Sequence, residues 1–99
     1  MAELMRGTDI PITLSNLPEG IEIKRLDFSQ NDEIVITKLG SDFTIEGNTA
    51  TGELTQEETL KLDQNKIVEL QLAYKVNGKA RRTYIKKCPA SKILYEGEI

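Results

Sequence analysis

The fold is decided by Ile67-Val68-Glu69-Leu70-Gln71-Leu72-Ala73-Tyr74-Lys75-Val76, followed by Asn77-Gly78. Val68, Leu70, Leu72, Tyr74 and Val76 alternate with Ile67, Glu69, Gln71, Ala73 and Lys75, the period of a strand with one buried face. Such a face needs a second layer. Asn77-Gly78 is the residue pair that a tight hairpin with positive φ demands, so Lys79 to Cys88 is expected to return as the partner strand. A two-residue loop sets Leu70 opposite Ile85, Leu72 opposite Thr83 and Tyr74 opposite Arg81. It also sets Glu69 opposite Lys86 on the outer face, a cross-strand charge pair worth roughly 0.2–1 kcal/mol.

Upstream of this hairpin, Thr55-Gln56-Glu57-Glu58 has the spacing of a capping box, a Thr hydroxyl and a Glu three residues on. About six residues follow before Asp63-Gln64-Asn65, so one helical turn is expected. Its task is to carry the chain across the end of a sandwich while Leu60 and Leu62 plug the core. Earlier still, Ile10 to Leu14 reads as an edge strand because Pro11 cannot donate a ladder hydrogen bond. Ser15 to Gly20 is a loop. The alternation Ile21, Ile23 then shifts phase to Leu26 and Phe28, which predicts a bulge near Lys24. Ser29 to Asp32 turns the chain into Glu33 to Lys38, with Ile34 and Ile36 expected on one face. Leu39 to Asp42 is the next turn, Phe43 to Glu46 follows with Phe43 and Ile45 inward, and Gly47-Asn48 leads into Thr49 to Leu54. After Pro89 ends the return strand, Ala90 to Tyr95 is expected to add a short last strand.

About seven short antiparallel strands at 8- to 12-residue spacing with a single short helical turn point to an all-β sandwich with Greek-key pairing. A small barrel is the alternative. The expected organisation is a flexible lead over 1–9, one sandwich domain over 10–95 and a frayed, acidic end over 96–99, with Met5-Arg6-Gly7-Thr8 offering an alternative start. Ninety-nine residues suffice for one core, since a domain of this size hides roughly two-thirds of its unfolded surface. Its apolar residues, 38% of the chain, are mostly Ile, Leu and Val, which suits strands.

The chemistry that composition excludes is as informative. Histidine is absent, so Ser15, Ser29, Ser41 and Ser91 have no histidine to activate them, and no glycine pattern cradles a phosphate. The chain is therefore read as a non-enzyme without catalytic residues, cofactor or metal. The carboxylate groupings Asp32-Glu33, Glu57-Glu58 and Asp42 with Glu46 read as solvated loop charges. Cys88 stands alone, which rules out an intrachain disulfide, and reads as a half-buried structural thiol. No stretch reaches the roughly 18 apolar residues of a membrane span, and Met1 to Leu14 lacks the apolar core of a secretory signal.

Charge supplies the one sharper feature. Residues 1–78 carry 7 basic and 14 acidic side chains, whereas 79–92 carry 6 basic and none acidic. Lys79, Arg81, Arg82, Lys86 and Lys87, with Tyr84 between them, form the candidate interface. They could track a phosphate backbone while the ring stacks on a base. The acidic body and the lack of a second aromatic platform favour instead a protein contact with an acidic neighbour, another copy of the chain included.

Several stretches carry a resemblance. Arg6-Gly7-Thr8 with Ile12-Thr13-Leu14, Phe28 to Glu33 with Ile34 to Lys38, Ile45 to Thr49, and above all Leu54 to Leu62 resemble small proteins encoded by phages and prophages of Gram-positive bacteria. Thr59 and Leu62, Val68 to Tyr74, and Asn77-Gly78 with Thr83 are similar to immunoglobulin-like modules of phage tail and baseplate proteins. The likeness spans Arg6 to Ile99, fits less well around Cys88-Pro89 and Ala90-Ser91, and carries no functional residues over. It implies an all-β, immunoglobulin-like β-sandwich of about seven antiparallel strands with one short helical turn, virion-associated or assembly-related, whose partners are other phage structural proteins or a homo-oligomer, located in the virion or the host cytoplasm. The alternative is a phage accessory protein that binds nucleic acid or a host factor through 79–87.

Overall fold

A computed structural model describes residues 3–99, and among these the chain is all β apart from two short helical turns. Strands β1 (Ile10–Leu14), β4 (Thr44–Glu46) and β5 (Thr49–Leu54) form a three-stranded antiparallel sheet in the order β1-β5-β4. Strands β2 (Ile21–Gln30), β3 (Glu33–Leu39), β6 (Ile67–Val76), β7 (Lys79–Arg82) and β8 (Lys86–Pro89) form the second sheet, in which β7 and β8 both pair with β6. The expected sandwich is present. The chain changes sheet between β3 and β4 through a 3-10 turn at Gly40–Asp42 and returns through helix α1 (Gln56–Leu60). Pairing of β2 with β6 and of β1 with β5 interlocks the layers.

The two inner faces bury one core. Ile23, Leu26, Phe28 and Ile36 meet Val68 and Leu72 on the larger sheet, and Phe43, Ala50 and Leu54 cover them from the other side. Leu62, only 1% exposed, plugs the end as the chain leaves α1. The capping box closes as expected: Thr55 Oγ1 accepts the Glu58 N–H at 3.2 Å, and Glu58 Oε1 accepts the Thr55 N–H at 2.9 Å. At the final hairpin Asn77 and Gly78 take φ of 52° and 78°, the left-handed pair that lets two strands reverse without splaying. Asn31 and Asp32 make the same turn between β2 and β3 with φ of 52° and 63°.

The bulge foreseen near Lys24 falls between Ile23 and Arg25, so that Ile23 and Leu26 both point inward. A second bulge sits opposite Phe28-Ser29, where Phe28 pairs with Ile36 but Ser29 with Ile34. Val35 is the extra residue, and it turns Ile34 outward to 59% exposure, correcting the expectation that Ile34 and Ile36 share a face. Ile45, expected inside, is 44% exposed because β4 is a three-residue edge strand.

The two ends of the chain contact the body, and one further expectation is corrected. Residues 4–9 of the lead are docked: Leu4 forms a parallel bridge with Ala90, and Arg6 is 6% exposed. The part of the lead at 1–2 lies outside the described residues. Ala90 to Tyr95 forms no strand, since Ala90 is spent on hydrogen bonds with Asn65 and Lys66 and on the Leu4 bridge. The end over 96–99 is held, with Glu96 on Arg6 and Ile99 exchanging two hydrogen bonds with the Gln56 side chain.

The Arg6 corner shows why these segments settle. An α-helix leaves its last carbonyls without intrahelical partners. Arg6 Nε donates to the Leu62 carbonyl, Nη2 reaches the Leu60 carbonyl at 3.4 Å, and the guanidinium grips Glu96 with Nη1 and Nη2 at 3.0 and 2.8 Å. Thr59, fully buried, accepts the Thr8 N–H at 3.1 Å and donates to the Thr8 carbonyl at 2.9 Å. Every buried side-chain nitrogen and oxygen among the described residues has a hydrogen-bond partner. Lys38 and Glu58 add a partly buried ion pair at 2.6 Å between β3 and α1.

Candidate interface on the late basic edge

The register of the final hairpin begins as expected, with Val76 opposite Lys79 and Tyr74 opposite Arg81. It does not continue. Leu70 faces Lys86, Glu69 faces Lys87 and Val68 faces Cys88, each one residue later than a regular ladder would place them. The expected pairs Leu70–Ile85 and Glu69–Lys86 are therefore corrected, and the expected single strand 79–88 becomes β7 and β8. A regular ladder would have put Lys87 opposite Val68, which is fully buried. An unpaired ammonium there would lose its hydration, whereas the slip brings the half-buried Cys88 inward and leaves Lys87 in water. Burial pushes the Cys88 thiol pKa up.

Thr83 makes the slip. Its Oγ1 accepts the Leu72 N–H at 3.1 Å, its N–H donates to the Leu72 carbonyl at 3.0 Å, and Gln71 Nε2 donates to its carbonyl at 3.0 Å. The ladder is closed by side chains at this point, and the chain loops out through Tyr84 and Ile85. Tyr84 is 95% exposed and Ile85 53%.

The structure brings Lys79, Arg81, Arg82, Tyr84, Lys86 and Lys87 onto one free sheet edge but not onto one face. Arg81 and Lys79 stand on the side of Tyr74 and Val76, whereas Arg82 stands opposite Ala73 on the other side. Lys86 pairs with Leu70 and lines a cleft of ≈ 480 Å³ between the sheets, whereas Lys87 pairs with Glu69 on the outer side. All six side chains are exposed. The ion pairs formed among the described residues are Arg6–Glu96, Lys24–Glu22, Arg25–Asp27, Lys38–Glu58 and Lys66–Asp63, and none involves this edge. The five cations project along roughly 25 Å of edge as point charges outside any of these ion pairs.

Two depressions adjoin the edge, and sequence reading missed both. The larger opens between β1 and the β7–β8 break, with Ile10, Ile12, Leu14 and Leu70 against Thr83 and Lys86. The smaller, ≈ 300 Å³, lies on the outer face of the larger sheet between the two outward-turned isoleucines, Ile34 and Ile85, with Asp27, Asp32 and Glu69. Asp27 feels burial, which opposes ionisation, but hydrogen bonds from Arg25 and Thr37 together with the charge of Arg25 outweigh it and hold its carboxyl below the usual range. The signal for both sites was the conflict between Lys87 and a buried position, together with the uninterrupted Ile34-Val35-Ile36.

The edge can hold an acidic surface and stack one ring; its groups include no nucleophile paired with a base. Among the described residues, no group of three or more His, Cys, Asp or Glu side chains is arranged to hold a metal ion. No helix among them is long and apolar enough to cross a membrane. Comparisons with protein-family models, with curated proteins and with solved structures find no match.

Proposed function

We propose that this protein is a non-enzymatic structural or assembly component of a phage or prophage particle, an interaction module near the tail or baseplate, with the basic edge as its contact. The observation that carries the contact is a free sheet edge with five cations and an exposed tyrosine, none of the cations ion-paired within the described chain. Charges outside the fold's own ion pairs are available to a partner, where complementary potential guides encounter and register. The phage setting rests on the likeness of Leu54 to Leu62 and of the strand and turn residues around it. The test is recovery of the protein with particles from an induced lysogen, with and without Arg81→Glu and Arg82→Glu. Loss of recovery in the double variant is the expected result; recovery unchanged by it would remove the edge from the proposal.

Tyr84, exposed between cations, gives a second reading as an accessory protein on single-stranded nucleic acid. It requires binding that weakens steeply with salt. Flat titrations at low salt would eliminate it.

A further inference from the structure

We infer that the partner of the basic edge is a second copy of this chain, docked head to tail through the outer face of its three-stranded sheet. This inference rests on the reading of the edge as a protein contact and names the surface it fits. Between Lys38 and Lys61 the chain carries Asp42, Glu46, Glu53, Glu57 and Glu58 and no basic residue. Asp42 and Glu58 are engaged within the fold, by the Leu39 N–H and by Lys38 with Thr55. Glu46, Glu53 and Glu57 are exposed and belong to no ion pair among the described residues.

Register places two of these acids on one surface. Glu46 pairs with Thr49 and Thr44 with Thr51, and two-residue alternation along β5 sets Glu53 on that same side, since Ala50 and Leu54 point into the core. The outer face of the small sheet thus carries Thr13, Thr44, Thr49 and Thr51 between the carboxylates of Glu46 and Glu53. Its β4 edge is open, and Ile45 there, opposite Ala50 on the inward side of the sheet, is 44% exposed at that edge. The other sheet ends in an open β7 edge with Arg81 and Arg82, followed by Tyr84 and Ile85. One molecule therefore presents two different patches of opposite charge, an acidic one on the outer face of the small sheet and a basic one flanked by the exposed Tyr84 and Ile85.

Self-pairing of like patches is disfavoured. Two β7 edges facing each other would set Lys79, Arg81 and Arg82 against their own copies, and like charges directly opposite repel. Joining unlike patches head to tail is a heterologous contact, which generates a closed ring or an open filament. The outward loop at 84–85 keeps β8 from extending the flat edge, so the contact is confined to β7 and the residues just beyond it.

The test is native mass and sedimentation at low and high salt on three proteins: wild type, Arg81→Glu with Arg82→Glu, and Glu46→Lys with Glu53→Lys. Wild type is expected to assemble in a salt-sensitive manner. Each double variant alone is expected to self-associate about 100-fold more weakly, because like charges then meet at the contact. Mixed in equal amounts, the two variants regain assembly with alternating copies, because both junctions are again complementary. Thermal unfolding confirms that each variant folds; if a charge reversal prevents folding, the corresponding alanine pair replaces it.

A monomeric wild type at all concentrations, assembly untouched by either reversal, or a two-fold dimer cross-linked between identical residues would overturn the inference. The particle-recovery experiment separates the two levels. If wild type is monomeric yet Arg81→Glu with Arg82→Glu abolishes recovery, the partner is a different protein and only this inference falls. If recovery also persists, the edge is no contact and both fall.

Discussion

Two ends of the same molecule use their charges in opposite ways. At the corner where residues 4–9, α1 and residues 90–99 meet, Arg6 is almost wholly buried and fully occupied by Leu60, Leu62 and Glu96. On the β7–β8 edge, five cations within nine positions stand exposed, none of them in an ion pair among the described residues. The first arrangement stabilises the fold, since each removed partner strands a buried group. The second leaves folding nearly indifferent to the charges and makes them available outside. Burial, not charge, separates a structural cation from a free one.

The contrast can be broken most forcefully at Arg6. Arg6→Ala leaves the Leu60 carbonyl at the helix end and the Leu62 carbonyl just beyond it without the guanidinium, and is expected to cost about 2–3 kcal/mol by denaturant unfolding. Arg6→Lys keeps the charge but not the planar fork and should recover only part of the loss. A cost below about 0.5 kcal/mol, the range of ordinary surface changes, would mean that the corner is a surface contact after all.

Thr59→Val tests the same corner without changing side-chain shape. It strands the Thr8 N–H and carbonyl and is expected to cost about 1–2 kcal/mol. Thr55→Ala removes the capping hydroxyl and should cost about 1 kcal/mol, read from the shift in denaturation midpoint at constant slope. If Thr55→Ala costs more than Thr59→Val, the helix turn is held by its own cap rather than by the docked lead.

Acid sharpens the comparison further. The Arg6 hydrogen bond and charge hold the Glu96 carboxyl below its ordinary pKa. For Glu58, burial opposes ionisation, but Lys38 and the Thr55 contacts outweigh it, and the net shift is also downward. Both groups therefore bind a proton less readily folded than unfolded. Their contribution is complete above the unfolded carboxylate range and is lost as pH falls through the folded values, below about pH 4. Glu96→Gln should flatten part of that acid limb in a pH series of unfolding midpoints; an unchanged limb would detach Glu96 from the corner.

The smallest expected effect is the most telling one for the edge. Arg81→Ala with Arg82→Ala should change stability by no more than about 0.5 kcal/mol, because both side chains are exposed and unpaired. A larger loss would show that the edge charges belong to the fold.

Local chemistry made much of this architecture legible. Asn77-Gly78 imposes its turn through backbone sterics, the Thr55–Glu58 box through four neighbouring residues, and the phase change at Lys24 through alternation within one strand. The candidate interface was legible as composition, because six cations in fourteen residues need no coordinates to be noticed. Its shape was not, because the slip at Thr83 arises from a competition between Lys87 and Cys88 for a place opposite Val68.

The sequence by itself determined the strands, their turns and the uneven charge, all of which follow from interactions within a few residues or along one strand. Only the tertiary structure decided that Arg6 joins the core, that Ile34 and Ile85 turn outward, and that the basic edge is left unpaired. Those outcomes depend on which groups remain unsatisfied once the two sheets close. The burial penalty that settles them is carried by residues as much as 90 positions away in sequence, as the Arg6–Glu96 pair shows.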